Sequence, residues 1–70
     1  MTTEESTLAK RLAEGKARGE RHAVRLAARA RGLTLTDDQS DRIDACQDAA
    51  VLWRWAEAAV TASTTDDIFR

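Results

Sequence analysis

The chain has 70 residues, of which 43% are hydrophobic and 33% charged, and a formal net charge of −1. Fourteen of the apolar residues are Ala, so a solitary core is lean, and chains this short bury only about 60% of the surface they expose when unfolded. One Cys excludes an internal disulfide, one Cys with one His excludes a structural zinc site, and no apolar run approaches the roughly 20 residues that cross a bilayer. What remains is a small domain that is neither a self-contained enzyme nor a secreted disulfide scaffold nor a membrane protein, and for which association with another chain is the common remedy.

The charge is unevenly spread. Residues 8–31 carry Lys10, Arg11, Lys16, Arg18, Arg21, Arg25, Arg29 and Arg31 against Glu14 and Glu20, a balance of +6. Residues 32–70 carry Asp37, Asp38, Asp41, Asp44, Asp48, Glu57, Asp66 and Asp67 against Arg42, Arg54 and Arg70, a balance of −5. A basic half is therefore joined to an acidic half. The acidic start, Met-Thr-Thr-Glu-Glu, is unlike a signal peptide, and a free thiol suits a reducing cytoplasm.

With no Pro, three Gly and no period-two alternation, the chain reads as all-α. A first helix is expected over about residues 4–31. It opens on a capping box, Thr2-Thr3-Glu4-Glu5, and stops at Gly32, with Leu33 packing back on its last turn. At about 1.5 Å per residue it would be roughly 42 Å long, too long for the remaining residues to cover. A second helix is expected over about 37–46 behind the box Thr36-Asp37-Asp38-Gln39. A third is expected over about 49–62, capped by Asp48, with Leu52, Trp55, Ala56, Ala59 and Val60 as its inward stripe. A short turn over about 64–69, capped by Ser63, would return Ile68 and Phe69 onto the third helix. Leu33, Leu35, Ile43, Cys46, Leu52, Trp55, Ala59, Val60, Ile68 and Phe69 are the expected core.

On the first helix, Leu8, Leu12, Gly15, Gly19, His22 and Leu26 follow one another at steps of four and three, the a/d rhythm of a coiled-coil seam. Each Gly costs a helix interior about 1 kcal/mol relative to Ala. Close approach of a second helix would justify that cost, since small residues let two axes come together. Ala9, Ala13 and Ala17 form a second, small-residue stripe beside this seam. An antiparallel pair, or acidic helices docked on a neighbour's basic one, would relieve the repulsion between like basic helices.

The other candidates for chemistry are weaker. His22 lacks convergent partners for catalysis or metal binding. Cys46 stands between Asp44 and Asp48, an acidic setting that disfavours the thiolate. The aspartates 37, 38, 41 and 44 lack the Gly turn and terminal Glu of a calcium loop. Trp53 and Trp55 fall about 200° apart round a helix. Trp55 goes with the core, and Trp53 either anchors an interface or packs beneath the first helix. The eight bases of the first helix spread round it with no aromatics between them, which argues against direct nucleic-acid binding.

Taken in order, several segments form a familiar series. They are Ala13-Glu14-Gly15-Lys16-Ala17-Arg18-Gly19-Glu20, Arg31-Gly32-Leu33, Thr36-Asp37-Asp38-Gln39, Arg42-Ile43-Asp44-Ala45-Cys46, Leu52-x-x-Trp55, Val60-Thr61-Ala62-Ser63 and Asp67-Ile68-Phe69. Residues 10–70 thus resemble the C-terminal tail of the bacterial Rpn family of recombination-promoting nucleases and its transposase-like relatives. The chain departs from such tails in having Ala56 where they often carry Leu, and in the additional Trp53. The nuclease motif itself, an acid followed by D/E-x-K, has no counterpart here. What the resemblance implies is a helical oligomerisation tail, which family members also express alone as a short, antitoxin-like partner of the full-length nuclease. A chain beginning at Met1 fits such a product.

The expectation is a single cytoplasmic helical oligomerisation domain over residues 1–70, without enzymatic activity, metal or cofactor. Its partners would be itself, as a dimer or higher oligomer, and a related full-length nuclease. Leu8, Leu12, Gly15, Gly19, His22, Leu26 and Trp53 would form the interface. The alternative is a nucleic-acid-binding accessory that uses the basic helix.

Overall fold

The computed structural model describes the backbone of residues 3–69 and the side chains of residues 8–69. The regular structure of those residues is all helical: α1 spans Thr3–Ala30, α2 Asp37–Ala45 and α3 Ala49–Thr61, followed by a short 3-10 turn, Thr65–Ile68. The capping box expected at Thr2–Glu5 depends on Thr2 and on side chains outside the described residues.

Local chemistry sets the other ends. Gly32 has φ 71, and its N–H donates to Arg29 O at 2.9 Å while the Leu33 N–H donates to Ala28 O at 2.9 Å. That pair of bonds is the Schellman closure, which needs the left-handed conformation Gly adopts without strain. At α2, the Thr36 hydroxyl accepts from the Gln39 N–H at 3.2 Å, and Gln39 Oε1 accepts from the Thr36 N–H at 3.0 Å. Asp48 caps α3, with Oδ1 accepting from the N–H groups of Ala50 at 2.9 Å and Val51 at 3.4 Å. The last turn is capped at Thr64, not Ser63. The Asp67 carboxylate reaches back to the N–H groups of both, at 3.1 Å from Thr64 and 3.2 Å from Ser63.

α2 runs antiparallel to α1. Arg25 reaches Ser40 and Asp44, and Arg21 Nε donates to Cys46 O at 3.1 Å. α3 then runs parallel to α1. Its first turn lies beside Lys16 and Glu20, and Arg31 at the far end of α1 donates to Ala62 O at 3.1 Å. The core between the three helices comprises Ala17, Val24, Ala28, Ile43, Leu52, Trp55, Ala56, Ala59, Ala62 and Ile68. Leu33, Leu35, Cys46 and Phe69 are half-buried against it. Phe69 meets Trp55 edge-on at 5.0 Å, and the Arg42 guanidinium lies 5.3 Å from both rings.

Two assignments change. Val60 is 60% exposed and leaves the core. It lies about 140° round the helix from Trp55, at about 100° per residue, on the flank that carries Trp53. Val24, fully buried, takes a central place that the spacing of larger residues did not reveal.

The molecule is elongated, at 47 × 20 × 18 Å, with a radius of gyration of 13.8 Å. A compact chain of this length would have about 11 Å. The excess comes from α1, whose 28 residues outrun the 13 of α3. From Leu8 to Lys16 each of its residues is exposed. The start of α1 therefore projects beyond most of the body, which it meets near Lys16.

Candidate association surface

Around the axis of α1 the residues divide into two faces. Ala17, Val24 and Ala28 point into the core. Leu8, Leu12, Gly15, Gly19, His22 and Leu26 are all exposed. At about 100° per residue these two sets lie about 180° apart. Arg21 and Arg25 face α2, and Lys16 and Glu20 face α3. Of the two stripes read from the sequence, the alanine one leads through Ala17 into the core, and the leucine one faces solvent.

The outer stripe carries an unusual amount of bare apolar surface. Leu8 is 59% exposed, Leu12 66% and Leu26 49%. Trp53 is 54% exposed and stands on α3 beside α1, above a notch lined by Lys16, Glu20, Ala49 and Ala50. Val60 lies on the same flank of α3 as Trp53. The two tryptophans have thus separated as their spacing requires, Trp55 inward and Trp53 outward.

Packing within one copy does not call for glycine at positions 15 and 19. A Cβ built on Gly15 or Gly19 meets nothing within 4 Å, and φ is not positive at either. Neither close packing inside the chain nor backbone conformation explains them.

Three of the eight bases of α1 are taken up in holding the fold. Arg25 Nη2 lies 2.7 Å from Asp44 Oδ1 and 3.2 Å from Ser40 Oγ, Arg21 ties the end of α2, and Arg31 ties the end of α3. These arginines bond mostly to carbonyls and to distant elements, which spacing along one helix does not disclose. Lys10, Arg11, Lys16, Arg18 and Arg29 remain exposed. Cys46 is half-buried at the end of α2, its Sγ–H directed at Asp48 O at 3.7 Å.

One polar group in the notch is incompletely met. Glu20 Oε2 is buried and has no hydrogen-bond partner. It lies near the first turn of α3, where a carboxylate is favoured by the helix dipole.

No helix among the described residues is long and apolar enough to cross a membrane. No family model matches the chain, and no curated protein or solved structure resembles it closely enough to carry an assignment.

Proposed function

We propose that this chain is a non-catalytic helical association module, working in the cytoplasm, that pairs with a second copy through the outer face of α1. The observation that carries this reading is the placement of the leucine and glycine stripe about 180° from the chain's own core. Amphipathic helices turn their larger apolar residues inward. α1 does the opposite, burying alanines and Val24 and exposing three leucines. The surface area agrees. The chain exposes 5200 Å², whereas a folded monomer of 7.7 kDa is expected to expose about 4300 Å². The surplus of about 900 Å² goes with the elongated shape, and it is similar in size to the roughly 800 Å² that each partner contributes to a standard interface.

The resemblance of residues 10–70 to Rpn tails supplies a biological use for the same face. By occupying the tail of a full-length nuclease, the short chain would restrain it in the manner of an antitoxin. Direct nucleic-acid binding is a poorer use of α1, because Arg21, Arg25 and Arg31 are spent on the fold.

Sedimentation equilibrium tests the association. The chain is expected to self-associate, and Leu12→Glu with Leu26→Glu is expected to give a folded monomer, since both side chains are exposed in the single copy. A wild-type chain that stays monomeric at millimolar concentration would overturn the proposal. For the nuclease, the expected result is co-purification with a tail-bearing full-length protein, lost in the same double variant. Retention of DNA or RNA at low salt by a monomeric chain would favour the nucleic-acid reading instead.

A further inference from the structure

We propose that the two copies pair antiparallel through α1, about a two-fold axis that passes at the level of Ala17. This rests on the association reading above and fixes its geometry.

The argument starts from the order of residues in the stripe. Leu8 and Leu26 are equidistant from Ala17, as are Leu12 and His22, and as are Gly15 and Gly19. The spacing therefore reads the same in both directions. In an isologous interface residue i meets j and j meets i. An antiparallel pair centred at this level sets Leu8 against Leu26 of the other copy, Leu12 against His22, and Gly15 against Gly19. The two bare backbones then cross at the centre, where small residues allow the closest approach. The larger residues meet at the ends.

The stripe lies clear of the two helices packed on α1: α2 is about 120° and α3 about 100° round the axis from it, at about 100° per residue. A helix laid on the stripe would be the third neighbour of α1. Because the start of α1 projects past most of the body, the antiparallel pair lays that segment of each copy along the body-bearing half of the other. A parallel pair would leave both projecting segments against each other, with the bodies side by side. Charge favours the antiparallel choice as well. It carries Arg11 toward the part of the other copy that holds a balance of −5. Its cost is that Arg18 and Lys16, one on each flank, approach their own symmetry mates, at exposed sites where salt screens the repulsion.

Disulfide trapping tests the polarity. In a Cys46→Ala background, Leu12→Cys and His22→Cys chains are prepared separately, mixed and oxidised mildly. Leu8→Cys and Leu26→Cys provide a second pair at the ends of the stripe. The expected products are mixed 12–22 and 8–26 dimers, with little cross-linking of Leu12→Cys alone, because a disulfide needs its Cβ atoms about 4 Å apart. Efficient 12–12 linkage would show a parallel pair and overturn this geometry while leaving association standing. A dimer in sedimentation that forms none of these links would place the interface elsewhere and overturn it too. A Cys46→Ala chain that sediments as a monomer at millimolar concentration would remove both readings.

Discussion

Gly15 and Gly19 give the sharpest test, because replacing them has opposite effects on the single copy and on the pair. In the single copy a Cβ at either position meets nothing within 4 Å. Ala or Leu there should fold without steric cost and raise helix stability by about 1 kcal/mol per site. The double replacement should therefore add about 2 kcal/mol, expressed as higher helicity at 222 nm under dilute conditions. In the pair the outcome turns on size. Side chains at the crossing push the axes toward the usual 8–10 Å, and the leucines at the ends lose contact. Gly15→Leu with Gly19→Leu should weaken association at least tenfold, a loss of about 1.4 kcal/mol or more. The double Ala variant should lose less. Sedimentation equilibrium across a concentration series measures the change, with circular dichroism confirming the helix. Tighter association of the Leu variant would refute the close-approach argument, since that is what an ordinary a/d seam does when it gains leucines. Unchanged association would show that the glycines touch no partner.

Other consequences follow from burial and backbone geometry. Val24→Ala removes a fully buried side chain and should cost roughly 1.5–2.5 kcal/mol in urea unfolding, whereas Val60→Ala, at a site 60% exposed, should change it little. Equal effects would contradict the division between inner and outer faces. Gly32→Ala should destabilise the chain by about 1 kcal/mol, because φ 71 is unfavourable for a side chain even with open space around it. A stabilised variant in thermal melts would refute that account of the α1 end. Amide exchange should report association directly. A free helix of fewer than about 12–15 residues is marginal in water, so protection over residues 8–16 should fall on dilution while that over 24–28 persists. Protection over residues 8–16 that is independent of concentration would show that the projecting half needs no cover.

The legible parts of the sequence were those whose chemistry is local. Gly32, the Thr36–Gln39 box and Asp48 fix helix ends through contacts within four or five residues, and each can be read without knowing the fold. The last turn was harder, because Ser63 and Thr64 offer similar caps and Asp67 binds the N–H groups of both. The inner face of α1 was illegible for a different reason. Ala17, Val24 and Ala28 form a weaker signal than Leu8, Leu12 and Leu26, and periodicity alone does not say which of two apolar faces meets the rest of the chain. Val60 misled in the same way, sitting a few residues from true core positions but on the flank of Trp53. The roles of Arg21, Arg25 and Arg31 depend on carbonyls at the ends of other helices, and only the folded arrangement brings those together.

The two faces of α1 are physically linked. Three helices and a returning chain end share one small core, and α1 enters it through alanines and a single valine, so that α3 can lie close along it. Leucines at positions 17 or 28 would hold α3 away and open gaps beside Leu52 and Ala59, both fully buried. The inner face must therefore stay small, and the bulk that drives burial is displaced to the outer face and to the projecting half of the helix. A chain built to stand alone would shorten that helix and make its outer face polar. Here the helix is long, its outer face carries leucine, and the centre of that face is stripped to glycine where two identical rods would cross. Each of these choices weakens the single copy, and all of them would serve a pair.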